Sequence, residues 1–210
     1  MFQFARRLNL RGDARETMAW ATEMTSYVDD HTDLDVSLWG VVFGAPVGTF
    51  AWSTFVEGRA TLVAATDHLG ADDGYHDLVM KARDWITAPA EDVFRSVVYG
   101  GPLDEPPPLG SVASVTETVA TTGKMSEAVG WATDMAEYGS SVVGSRITLL
   151  VNAYGDFGGI TFISVARDMA ATDELSATIR SDIGYVERIK ASEGLFVDGS
   201  ARQTLLRRLA

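Results

Sequence analysis

One stretch of this chain occurs twice. Residues 20–27 read Trp-Ala-Thr-Glu-Met-Thr-Ser-Tyr and residues 131–138 read Trp-Ala-Thr-Asp-Met-Ala-Glu-Tyr, a spacing of 111 in a chain of 210 residues. Self-similarity at a fixed period constrains a fold more than local propensity does, because each half must then build the same supersecondary unit. Adding 111 to each position superposes residues 1–45 on 112–156 without a gap. Gly12 meets Gly123, Glu16 meets Glu127, Met24 meets Met135, Leu38 meets Leu149 and Gly44 meets Gly155. One residue is then lost in a loop, so Gly48 meets Gly158 and Trp52 meets Phe162. Gly74-Tyr75 realigns on Gly184-Tyr185, with the short helix before it about four residues shorter in the second half.

The unit itself follows from periodicity. Residues 2–10 alternate as a strand. Gly12 breaks it, and Asp13 followed by Glu16 is a capping-box signature for a helix running to about Asp30. Its stripe of Trp20, Met24, Tyr27 and Val28 would face a sheet. Residues 35–43 and 48–57 read as a hairpin of strands around Gly44-Ala45-Pro46-Val47-Gly48. Helices follow over 59–69 and 72–86, then a strand over 93–99. The order β-α-β-β-α-β is the ferredoxin-like pattern, in an α+β chain. We therefore expect a first repeat over 1–100, a Pro/Gly-rich linker over 101–110 stiffened by Pro106-Pro107-Pro108, and a second repeat over 111–210 ending in a strand at 205–209.

Composition narrows the function. A net charge of −12 opposes binding to a phosphate backbone, which needs clustered Lys and Arg. No apolar run reaches the length of a membrane span, and the N-terminal residues do not have the order of a signal peptide, so a cytoplasmic protein is expected. The absence of cysteine excludes disulfides and thiolate chemistry. No His/Asp/Glu cluster has metal-ligand spacing, and neither a nucleophile elbow nor a phosphate loop is present, so no metal or cofactor is expected.

The stretch Asp168-Met169-Ala170-Ala171-Thr172-Asp173-Glu174-Leu175, then Gly184-Tyr185-Val186-Glu187 and Leu195-Phe196-Val197, resembles the second half of dimeric α/β-barrel proteins of the antibiotic-biosynthesis-monooxygenase-like and NIPSNAP-like kinds. The resemblance extends over the chain once per repeat. It implies two ferredoxin-like sheets closed into one barrel within a single polypeptide, helices outside, and a cleft between each sheet and its helices. It also implies either a small-molecule enzyme or a non-catalytic binding or assembly module. The enzyme would be a cofactor-independent monooxygenase, or a cyclase or isomerase, acting on an aromatic or polyketide-like compound. Partners would then be a small apolar or aromatic molecule, with a homo-oligomer also open.

Candidate chemistry is sparse. Strand residues Arg6, Arg7, Arg95, Glu117 and Asn152 could point into the barrel or a cleft, and the 111 offset superposes Arg6 on Glu117, so a pseudo-twofold could bring opposite charges together. The competing reading is an exposed strand end or a structural ion pair. Trp39, Trp52, Phe50, Phe43 and Tyr154 form an aromatic set suited to an apolar pocket, and equally to a barrel core. Some members of the resembled family bind haem through a histidine on the second helix, and His76 is the residue at the matching position. The Trp-Met-Tyr stripe reads as helix-to-sheet core. The first half keeps Trp39, Trp52, Trp85 and His76 where the second has Leu150, Phe162, Leu195 and Val186, which directs the search for a site to the first half.

Overall fold

The computed structural model describes residues 1–102 and 105–210; Leu103 and Asp104 of the expected linker lie outside the described residues. In chain order the elements are β1 (Phe2–Asn9), α1 (Ala14–His31), β2 (Ser37–Phe43), β3 (Thr49–Val56), α2 (Arg59–Gly70), α3 (Asp73–Lys81) and β4 (Glu91–Tyr99). The second half supplies β5 (Val112–Val119), α4 (Met125–Val143), β6 (Ile147–Tyr154), β7 (Gly159–Ala166), α5 (Met169–Ser181), α6 (Ile183–Lys190) and β8 (Arg202–Arg208).

The strands close into one barrel in the order β1-β3-β2-β8-β5-β7-β6-β4. All pairings are antiparallel. Each half contributes the same four-strand arrangement, β4-β1-β3-β2 and β8-β5-β7-β6, so the fold is two ferredoxin-like units sharing one closed sheet. The seams between them are β2 against β8 and β4 against β6. Closure leaves no strand edge bare. The register shifts at both seams, as between Val41 and Phe43 on β2, and such irregularities add the local bend that closure requires.

Alternation sends one set of side chains into the barrel and the other against the helices. On β1, Gln3, Ala5 and Arg7 face inward, while Phe4, Arg6 and Leu8 face the helices. Two cores lie outside the barrel. In the first half Trp20, Ala21 and Met24 of α1 pack with Leu38, Phe50 and Trp52 of the sheet and Leu78 of α3. In the second half Ala128, Ala132 and Ala136 of α4 pack on Leu149 and Ile160. A third, smaller cluster of Trp39, Ala51, Ala113, Val115 and Leu206 lies inside the barrel. Each large apolar side chain so buried contributes roughly 1.5–3 kcal/mol.

The repeated helix face is a core contact. Trp20 Nε1 donates to the Leu78 carbonyl at 2.8 Å, and Trp131 Nε1 to the Arg188 carbonyl at 2.8 Å, so each indole ties its long helix to the third helix of its unit. Tyr27 and Tyr138 donate to Asp72 and Asp182, the N-caps of α3 and α6.

The 111 offset needs one correction, in the first strands. Phe2 pairs with Val56 and Val112 with Ala166, so the first strands of the two halves superpose at an offset of 110. The extra residue sits in the turn between β5 and α4, where the helix starts after Lys124 without a side-chain cap, in contrast to the Asp13 cap of α1. From Gly48 to Ile86 the offset is 110, as the alignment of Gly48 on Gly158 and Gly74 on Gly184 expects, since the bridges Leu10–Ile86 and Ala120–Phe196 correspond. Accordingly α5, at 13 residues against 12 for α2, is not shorter. Helix α3 also ends earlier than residue 86, at Lys81, because Ile86 is drawn into its bridge with Leu10. The final strand begins earlier than expected, at Arg202. No helix among the described residues is long and apolar enough to cross a membrane.

Candidate functional site

A one-residue slip moves a strand side chain to the other face of the sheet. Arg6 therefore has Thr116 as its counterpart, and the residue equivalent to Glu117 is Arg7. These two meet inside the barrel: Arg7 Nη2 donates to Glu117 Oε2 at 2.7 Å. The other carboxylate oxygen accepts from Arg95 Nη2. Arg95 is 3% exposed, and its remaining groups donate to Gln3 Oε1 at 3.1 Å and Asn152 Oδ1 at 3.3 Å. Burial lowers the Arg95 guanidinium to about 10, an effect that the Glu117 charge only partly offsets and that Arg7 deepens. It remains a cation at neutral pH. Arg95, Glu117 and Asn152 are thus brought together, while Arg6 is not with them.

Arg6 lies on the helix side of the sheet. Its Nε and Nη2 donate to the two oxygens of Asp92, each at 2.7 Å. That bidentate bond raises its pKa above the ordinary value, against the opposing effect of burial. Arg6 borders the cleft between the first half of the sheet and α1–α3. The cleft has a volume of about 470 Å³, with walls that include Phe4, Leu8, Trp20, Met24, Trp52 and Leu69. Few polar groups enter it. Thr54, on β3 beside Trp52, is 3% exposed and its hydroxyl has no hydrogen-bond partner among the described residues. Tyr75 and His76 line the α3 side. His76 is exposed, and its Nε2 lies 2.9 Å from the Gly70 carbonyl. A carbonyl only accepts, so that nitrogen is the donor of the contact, and in a neutral ring Nδ1 is the nitrogen with the free lone pair.

This geometry does not suit His76 as an axial haem ligand. The ring stands at the cleft rim in contact with solvent, where axial ligation needs an inward-facing imidazole in an apolar pocket.

The aromatic set divides between the two faces of the sheet and forms no single pocket. Trp39 lines the barrel, its Nε1 donating to Ser53 Oγ at 3.1 Å. Trp52 and Phe50 belong to the first helix-side core, and Trp52 Nε1 donates to Thr25 Oγ1 at 2.9 Å. Tyr154 and Phe43 are exposed at strand ends, with Tyr154 accepting from Arg59 at 3.0 Å.

The second half has an equivalent cleft of about 430 Å³, more polar in its lining: Ser114, Thr116 and Ser164 stand where the first half has Phe4, Arg6 and Thr54. Tyr185 lines it, its pKa raised by burial and moderated by Arg180.

Sequence reasoning passed over Thr54, Tyr75, Asp92 and Gln3, and left Arg7 without a role. The signal for Thr54 was available: it continues the alternation of Phe50 and Trp52, which places a hydroxyl on an apolar face. Arg7 needed the 110 offset, which only the strand pairing reveals.

No protein-family model matches the sequence, and no curated protein matches it. Solved structures share its fold. One from Fusobacterium nucleatum, described as a "putative monooxygenase", superposes with a TM-score of 0.72 at 9% identity, covering 100% of this chain and 92% of that one. Another so described, from Lactobacillus acidophilus, gives 0.65 at 15% identity over 99% and 93%. An anthrone oxidase-like protein gives 0.71 at 12% identity over 100% and 91%. At these identities the likeness is one of fold: this chain shares with them a closed α/β barrel, built here from two ferredoxin-like units of one polypeptide.

Proposed function

We propose that the chain is a small-molecule enzyme that takes a flat apolar compound, aromatic or polyketide-like, into the first helix–sheet cleft and moves a proton at its rim. The observation that carries this reading is an apolar cleft of about 470 Å³ with Arg6 and His76 as polar side chains in its lining. Pockets of this kind, mostly apolar with a few placed polar groups, are what small-molecule sites require.

This reading assigns a role to each polar group. His76 Nδ1 is the base, removing a proton from an activated carbon. The Arg6 guanidinium, held rigid by Asp92, offers its remaining N–H donors to the enolate or phenolate that forms. The resulting carbanion can be reprotonated elsewhere, giving isomerisation, or add to an internal carbonyl, giving cyclisation. It can also reduce dioxygen. In that case one oxygen atom stays as a carbonyl, the other leaves as water, and a methylene has become a ketone with electrons supplied by the substrate alone.

The anthrone oxidase-like neighbour suggests a probe. Anthrone plus dioxygen gives anthraquinone plus water. The protein, incubated with anthrone in air, is expected to accelerate both anthraquinone formation and solvent-deuterium exchange at the methylene. His76→Ala and Arg6→Gln should each slow these by at least tenfold. Neither rate rising above buffer would overturn the reading. The alternative is a non-catalytic assembly module of NIPSNAP type. It is favoured by Val47 and Phe157, almost wholly exposed at the tips of equivalent hairpins. That module would bind without turnover and self-associate through those tips.

A further inference from the structure

The barrel interior, on the other face of the sheet from the cleft, holds a charge arrangement that the proposed reaction does not use. Arg7 and Arg95 both line an internal cavity of about 230 Å³. One carboxylate, Glu117, lies between them. Among the buried and half-buried side chains of the described residues, two guanidiniums against one carboxylate leave a positive charge unbalanced inside the barrel. Asp35 and Glu105 also line the cavity, Glu91 stands opposite Arg7 on the same face of β4, and Arg202 stands opposite Glu117 on β8, but all four are exposed, where water screens them. Donors are in excess as well. Arg95 is met by Gln3, Asn152 and Glu117, whereas Arg7 has only the bond to Glu117 among the described residues, from a group with five N–H donors. Much of the remaining wall is apolar: Trp39, Ala51, Ala113, Val115, Val165 and Leu206.

We propose that the barrel interior binds a small amphipathic carboxylate, its carboxylate docked on Arg7 with Arg95 behind it and its apolar body against the wall of Trp39 and Leu206. A single negative charge balances the surplus, whereas a doubly charged phosphate would reverse it in a medium of low dielectric. A wholly apolar guest would desolvate the Arg7 donors that Glu117 does not meet and leave them unsatisfied. The cavity has room for about eight waters at liquid density, which limits the guest to a short tail or one ring. The inference stands on residues separate from the cleft and does not need the proton-transfer reading.

The five tryptophans make the test specific, because Trp39 lines the barrel, Trp20 and Trp52 the first cleft, and Trp131 the second. The whole protein is titrated with benzoate, benzamide and acetate, by calorimetry and by the indole N–H signals in NMR. Benzoate is expected to bind saturably and to move the Trp39 signal, with Trp20, Trp52 and Trp131 unchanged. Benzamide, which lacks the charge, and acetate, which lacks the apolar body, should each bind at least tenfold more weakly. Arg7→Gln should weaken benzoate by at least tenfold, and His76→Ala should leave it unchanged. The comparison of the three probes needs no variant, so a misfolded Arg7→Gln protein does not remove the test. Equal binding of benzoate and benzamide, equal binding of benzoate and acetate, a shift at Trp20 or Trp52 in place of Trp39, or no saturable benzoate binding would each overturn the proposal.

Discussion

Glu117 is the residue on which the barrel's polar interior depends. It neutralises one of two guanidiniums across the pseudo-twofold, and removing its charge would leave Arg7 and Arg95 facing each other. Breaking a buried pair from one side costs about 3–5 kcal/mol, and Glu117→Gln should fall at or below the lower end because 21% of its side chain remains in reach of solvent. Urea unfolding measures this; a loss under 1 kcal/mol would show that the network contributes little. The Tyr27–Asp72 contact carries a second expectation. The tyrosine hydroxyl, followed by the Tyr75 amide, holds the Asp72 carboxyl below its usual value. A carboxyl lowered in the folded state adds stability that is fully present above its unfolded pKa of about 4 and is lost as pH falls through the folded value. In Tyr27→Phe the Asp72 midpoint should rise toward the ordinary carboxylate range, as read by NMR titration of the side chain. An unchanged midpoint would assign the lowering to the backbone amide alone.

At the scale of elements, helix-to-helix approach is set by two glycines in equivalent places. A Cβ built on Gly74 would stand 2.3 Å from the Tyr27 hydroxyl, and one on Gly184 would stand 2.2 Å from that of Tyr138. Gly74→Ala should therefore displace the Tyr27 ring and cost about 1–3 kcal/mol. Gly70, at the end of α2, has nothing within 4 Å of an added Cβ, so Gly70→Ala should stabilise by about 0.4–1 kcal/mol through the unfolded chain. Thermal melts that fail to separate the two variants would refute this account of α3 packing. These elements were largely legible in the sequence. Asp13 marks the start of α1 through a local bond to the next turn, and the Trp20–Met24 stripe marks its buried face by spacing alone. The end of α3 was not, because a bridge to Leu10, far away in sequence, decides it.

At the scale of the molecule, the repeat predicted two like units and the resemblance predicted their closure, but neither indicated which strands form the seams. Those pairings, such as Trp39 with Arg208 and Arg95 with Asn152, depend on contacts between halves. The same limit hid the site. An offset of 111 places Arg6 opposite Glu117, and the true offset of 110 in β1 and β5 sends Arg6 to the cleft and Arg7 to the barrel. One residue in a turn therefore separates two readings of the chemistry. Short turns tolerate such insertions at little cost, while the sheet cannot, so only strand pairing reveals them.

The central claim is that the first helix–sheet cleft is where this protein takes its small molecule. Titration of the whole protein with the tricyclic ketone under anaerobic conditions, followed through the indole N–H signals, tests it most directly. The account predicts saturable shifts of Trp20 and Trp52, which line that cleft, with Trp131 in the second cleft and Trp39 in the barrel unmoved. Shifts confined to Trp131 or Trp39, or no saturable shift at all, would contradict it.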